Sequence, residues 1–176
     1  MLLDQKRTKR TVQIVAILTS LAFAGVIFVV LGLIFFGGGG STVADDQLHD
    51  AKARIETESR NPDAWEQLAS AYAAKDDFAQ AMTAAKRAAE LAPRDFRRLQ
   101  TLVSLQIRQE DNDGAIATLQ TFTADNPRSA DAFLQLGQLA ETAGRTPLAR
   151  LSFQTYLRLA PDDPSADLVR ERLKDL

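Results

Sequence analysis

Three prolines, Pro93, Pro127 and Pro161, stand 34 residues apart, and other positions keep step with them. Ala81, Ala115 and Ala149 each lie twelve residues before one of these prolines. Trp65, Leu99 and Phe133 form a third column at the same spacing, and Leu68, Leu102 and Leu136 a fourth. A period of this length belongs to arrays of small helical units, none of which can bury its apolar face alone. Within a unit the spacing is helical. Trp65, Leu68 and Tyr72 fall at i, i+3 and i+7 on one face of a first helix, and Phe78, Ala81, Ala85 and Ala88 form the facing stripe of a second. Ala81 is small where the two helices cross, and the closing proline ends the second helix and turns the chain into the next unit. In the third unit Gly144 suits the left-handed position after a helix, Thr146 the cap of the next helix and Pro147 its first position. The expected fold is all-α, an α-solenoid of three helix-turn-helix repeats over 62–95, 96–129 and 130–163.

These units resemble tetratricopeptide repeats (TPRs). The family pattern is a large aromatic, Leu-Gly, Tyr, then Ala, Phe, Ala and a final Pro. The first unit matches it at Trp65, Leu68, Tyr72, Ala81, Ala88 and Pro93, with Ala69 and Ala85 departing. The third matches at Leu136, Gly137, Ala149, Phe153 and Pro161, with Phe133 as the aromatic and Ala140 at the Tyr position. The middle unit departs most, with Val103 for Gly and Gln106 for Tyr, while Ala115 and Pro127 keep the phase. The resemblance covers about residues 62–161. It implies a protein-binding scaffold whose first helices line a concave groove. On that register the groove positions are Asp63, Glu66, Gln67, Ser70 and Ala74, then Arg97, Gln100, Thr101, Ser104 and Arg108, then Asp131, Leu134, Gln135, Gln138 and Glu141. Arg97 and Arg108 are the expected charge anchors. Members that grip a peptide's terminal carboxylate do so with Lys and Asn. The matching positions here include Glu66, Ser70, Thr101, Asp131 and Gln135, so that basic clamp is missing. Helices at 46–61 and 164–176 are expected to cap the array. The first has Leu48, Ala51 and Ile55 on one side. The second is capped by Asp163, begins at Pro164, and covers the third unit with Leu168, Val169, Leu173 and Leu176.

Upstream of the array the chain changes character. Residues 11–36 carry no charge, and Ile14–Phe36 is almost wholly apolar. At the helical rise those 23 residues reach roughly 34 Å, enough for a hydrocarbon core of about 30 Å. A cleaved signal peptide has an apolar core of only about 7–15 residues, so the segment predicts a transmembrane signal anchor. Lys6, Arg7, Lys9 and Arg10 precede it, whereas Asp45, Asp46 and Asp50 outnumber Lys52 after it. Basic flanks stay in the cytoplasm. Residues 1–10 are therefore expected inside, and the repeats, after a Gly-rich linker at 37–45, in the periplasm or on the cell surface. Ala16, Ser20 and Ala24 share one face of the span, a spacing that lets two membrane helices approach and form a homo-oligomer. The resemblance is then to bacterial signal-anchored repeat proteins that assist secretion, envelope assembly or cytochrome maturation.

Other classes lack their chemistry. The chain has no cysteine and one histidine, His49, so thiol nucleophiles, zinc-thiolate sites and His-based constellations are excluded. Asp76-Asp77 and Asp111-Asn112-Asp113 fall at helix turns without the spacing of a calcium loop. Gly37–Gly40 is followed by no Lys-Ser/Thr and is no phosphate loop. Beyond the basic N-terminus the charge is about −5, with 17 Lys and Arg against 22 Asp and Glu, so no nucleic-acid footprint exists. The sequence predicts no enzyme, cofactor or metal. It predicts a membrane-tethered scaffold or assembly factor that binds a protein or peptide partner in its groove, with structural self-association at the membrane as the alternative.

Overall fold

The computed structural model describes residues 42–176. The basic N-terminus, the expected transmembrane helix with Ala16, Ser20 and Ala24, and the start of the Gly-rich linker lie outside the described residues. Among the described residues no helix is long and apolar enough to cross a membrane.

Among the described residues eight helices follow one another: α1 (Val43–Thr57), α2 (Pro62–Ala74), α3 (Phe78–Leu91), α4 (Phe96–Arg108), α5 (Asn112–Asp125), α6 (Ala130–Thr142), α7 (Thr146–Leu159) and α8 (Ala166–Asp175). Each packs on the helix before it and the helix after it, the pattern of an α-solenoid. The starts of α2, α4 and α6, and those of α3, α5 and α7, keep the 34-residue spacing.

The boundaries follow from capping. Asn61 accepts the N–H of Asp63 at 3.0 Å ahead of α2, whose first residue is Pro62. Asp77, Asp95 and Asp111 accept the N–H groups of Gln80, Arg97 and Gly114 at 3.2, 3.1 and 2.9 Å. Two expected caps are displaced. Thr146 is the first residue of α7 and Pro147 the second. Arg145 holds the cap position without a side-chain bond and reaches Asp113 at 2.5 Å instead. At α8 the cap position falls to Ser165, whose N–H donates to Asp163 at 2.8 Å, so Pro164 precedes the helix.

Three apolar clusters fill the array. The first joins α1 to α3 through Ala51, Leu68, Ala69, Ala81 and Ala85, and takes in Leu105 of α4. The second is built on Phe96, Leu99, Val103, Ile116, Leu119 and Phe122, whose two rings lie 5.4 Å apart. The third holds Phe153, Tyr156 and Val169. Leu148 packs against both the second and the third. Of the aromatic residues at the repeat columns, Phe153 and Tyr156 are buried in the third cluster, and Trp65, Tyr72 and Phe133 pack at the margins of the first and third.

Candidate functional site

The first helices of the first two pairs are neighbours, α2 touching α4 directly. Their polar side chains meet at one node. Glu66 receives the Arg98 guanidinium on one carboxylate oxygen, and Thr101 donates to the other at 3.2 Å. Arg98 also bonds Asp63 and lies 3.6 Å from Asp95. Its side chain is only 18% exposed, so these pairs are shielded enough to fix the two helices against each other. Three of the expected groove residues, Asp63, Glu66 and Thr101, are thus committed to holding α2 against α4. Arg98 escaped the sequence reading. The signal was a column of Ala64, Arg98 and Ala132, in which the two alanines are buried and only the middle unit carries a charge.

The expected anchors are engaged locally. Arg97 pairs with Asp95 at 3.0 Å while remaining 80% exposed. The Arg97 guanidinium, followed in effect by the bond from the Arg97 N–H, holds the Asp95 carboxyl below the usual range. Arg108 lies 4.8 Å above the Phe78 ring, a cation–π contact that packs it on the end of α3. Ser70 donates to the Glu66 carbonyl at 3.0 Å. Gln135 is half-buried, with a side-chain oxygen that has no hydrogen-bond partner. Gln100, Ser104 and Gln138 are exposed, one or two on each of α4 and α6, and stand open to a ligand. Glu141 is bonded by Arg172 of α8 at 2.9 Å.

At the N-terminal end the face deepens into an open groove of about 600 Å³ between α1 and α2. Gln47, Asp50, Ala51 and Arg54 line one wall, and Asp63, Glu66, Gln67, Ser70 and Ala71 the other. Arg54 bridges the two, donating to Gln67 at 2.6 Å and to Glu58 at 3.0 Å. Among the described residues no group of three or more His, Cys, Asp or Glu side chains is placed to hold a metal ion. What this face offers is hydrogen bonds and a docking groove.

Two family models, both described as tetratricopeptide repeat, match residues 62–95 and 101–164. No curated protein matches the chain by sequence. Solved structures share the fold. A crystal structure of MamA superposes with a TM-score of 0.54 at 19% identity, covering 76% of this chain and 87% of that one. Residues 41 to the end of MamA from Desulfovibrio magneticus RS-1 give 0.54 at 18% identity, covering 85% of each. The Arabidopsis OM64 TPR domain gives 0.51 at 16% identity, covering 65% of this chain and 94% of that domain.

Proposed function

The chain belongs to the tetratricopeptide-repeat family, and from that premise we propose that it is a membrane-tethered scaffold or assembly factor holding a protein or peptide partner on its first-helix face. Family membership and the likeness in fold support a protein-interaction role in general. The observation that carries the finer reading is that Gln100 and Ser104 of α4 and Gln138 of α6 are exposed at first-helix groove positions, with the exposed Arg97 also on α4. Such a surface recognises a segment through hydrogen bonds to its backbone and polar side chains. The tether is the uncharged stretch 11–36. Its basic flank supports a topology with the repeats beyond the cytoplasmic membrane.

Photoreactive residues at Ser104 and Gln138 in cells test the face, with Thr83 and Arg150, exposed on the second helices, as controls. One common partner is expected from the first pair of positions and not from the second; no partner at either Ser104 or Gln138 refutes the reading. A compartment-specific reporter fused after Leu176 checks the tether. Activity on the cytoplasmic side would refute the topology and leave the face intact.

A further inference from the structure

In two of the three pairs the second helix buries the same four positions. In α7 these are Ala149, Ser152, Phe153 and Tyr156, and in α3 all four are alanine. Helix α1 ends 34 residues before α3 does, so it stands in second-helix register without a first helix of its own in the described residues. Its four equivalent positions are Gln47, Asp50, Ala51 and Arg54, of which only Ala51 is buried. These are the residues that line the α1 wall of the groove. The groove is therefore the seat that a first helix would fill.

Helix α8 is the converse. It begins at Ala166, 34 residues after the buried Ala132 of α6, which puts it in first-helix register, and its Arg172 reaches back to Glu141 of α6. Where α6 turns Phe133, Leu136, Gly137 and Ala140 to its partner's register, α8 carries Asp167, Arg170, Glu171 and Lys174.

We propose that α8 of one copy seats in the α1–α2 groove of a second copy, forming a composite pair through which the arrays join head to tail. Size supports it. In the α6–α7 pair Gly137 faces Phe153 so closely that a Cβ on the glycine would lie 2.5 Å from the ring. The same two positions in the composite pair are Glu171 and Ala51, with large and small exchanged. Charge supports it as well. Paired helices run antiparallel, which brings Asp167 and Glu171 toward Arg54 and Lys174 toward Asp50. The third support is apolar. Leu168 is 59% exposed and sits in the register of Leu134, which packs in the third cluster with Val169 and Leu173. One period on, the positions that Val169 and Leu173 occupy are Gln67 and Ala71, both on the groove wall.

Docking exchanges bonds already made within each copy, Arg170 with Asp167, Lys174 with Glu171 and Arg54 with Glu58 and Gln67, for pairs between copies. The association is accordingly modest and weakened by salt. A heterologous contact of this kind propagates into rings or filaments.

Because the chain has no cysteine, the contact can be trapped at single sites. Full-length Ala51→Cys mixed with full-length Glu171→Cys in mild detergent is expected to give a mixed disulfide dimer under gentle oxidation. The yield should exceed by about tenfold that of Ala51→Cys with Arg150→Cys, matching roughly 1.4 kcal/mol of preference. Adding Arg54→Glu to the first chain should lower the yield, and adding Asp167→Arg to the second should restore it. A yield no higher than the control overturns the proposal, as does one indifferent to the charge reversals. A helix from another protein in the seat would leave the mixed disulfide absent. The partner capture at Ser104 and Gln138 uses positions outside this seat, so either test can fail without the other.

Discussion

Glu110 and Asp76 hold φ values of 60° and 58° at the position where the third pair has Gly144, at 69°. Each ends the first helix of a pair in left-handed backbone, where a Cβ crowds the following carbonyl and glycine does not. Glu110→Gly is therefore expected to stabilise the array by about 1 kcal/mol, after allowing for the greater freedom of glycine in the unfolded chain. Thermal melting checks this, and a lowered midpoint would show that the Glu110 side chain contributes more than its strain costs. Tyr156 makes a different demand. It is fully buried with its hydroxyl beside Asp163 and Ser165, and burial, reinforced by the Asp163 carboxylate, raises its pKa above the ordinary tyrosine value. A raised folded pKa means that its contribution is complete below the ordinary value of about 10 and is lost as pH rises through the folded one. Tyr156→Phe should leave stability at pH 7 within about 1 kcal/mol of the parent and flatten the decline above pH 10, read by denaturant titration across that range. The acid side has the opposite sign. Arg54 lowers the pKa of Glu58, Arg97 that of Asp95, and the Ser165 N–H that of Asp163. Stability from these carboxylates is complete above their ordinary values and is lost as pH falls through the lowered ones.

Between paired helices, one column of the first helix opposes one column of the second. Gly137 faces the Phe153 ring, while the same register holds Ala69 and Ala85 in the first cluster and Val103 and Leu119 in the second, so each pair fills this crossing with a different combination of sizes. Gly137→Ala is expected to cost about 1–3 kcal/mol, the usual penalty for overpacking a filled core. Phe153→Leu should relieve part of that cost, making the double variant more stable than the sum of the single changes predicts. Strict additivity in denaturant midpoints would mean that the ring moves aside freely. This column also explains what the sequence made legible. The 34-residue period reveals helices and pairings because burial repeats with the unit, and every unit must solve the same packing problem. Caps repeat less faithfully. Asp77 and Asp111 cap their helices while Arg145 in the same column makes no side-chain cap bond, and Thr146, a good capping residue by type, falls one position inside the helix. The candidate site was least legible of all. Whether Glu66 faces a ligand or Arg98 depends on a pairing between units that a period cannot display, and Arg108 sits in the right register yet packs on Phe78.

Across the whole array the three clusters are joined rather than separate. Leu105 belongs to α4 but lies in the first cluster, while Phe96, Leu99 and Val103 of the same helix lie in the second. Leu148 links the second to the third. In a repeat array the interfaces between neighbours carry the cooperativity, so joints of this kind decide whether the units unfold together. Trp65 is the single tryptophan and packs against the first cluster, which makes its fluorescence a local reporter. Far-ultraviolet circular dichroism reports on all the helices. The two are expected to give coincident thermal midpoints, the signature of one transition. Leu105→Ala removes a buried joint and should cost about 2–5 kcal/mol, and the midpoints should then separate, with Trp65 changing first. The reason is that the alanine-lined first pair buries smaller side chains than the aromatic third and loses its outer support. If Trp65 already melts early in the unsubstituted chain, α1–α3 is an independent unit. A seated α8 from a second copy would then raise the Trp65 midpoint with protein concentration, whereas a cooperative array would show the rise in both signals.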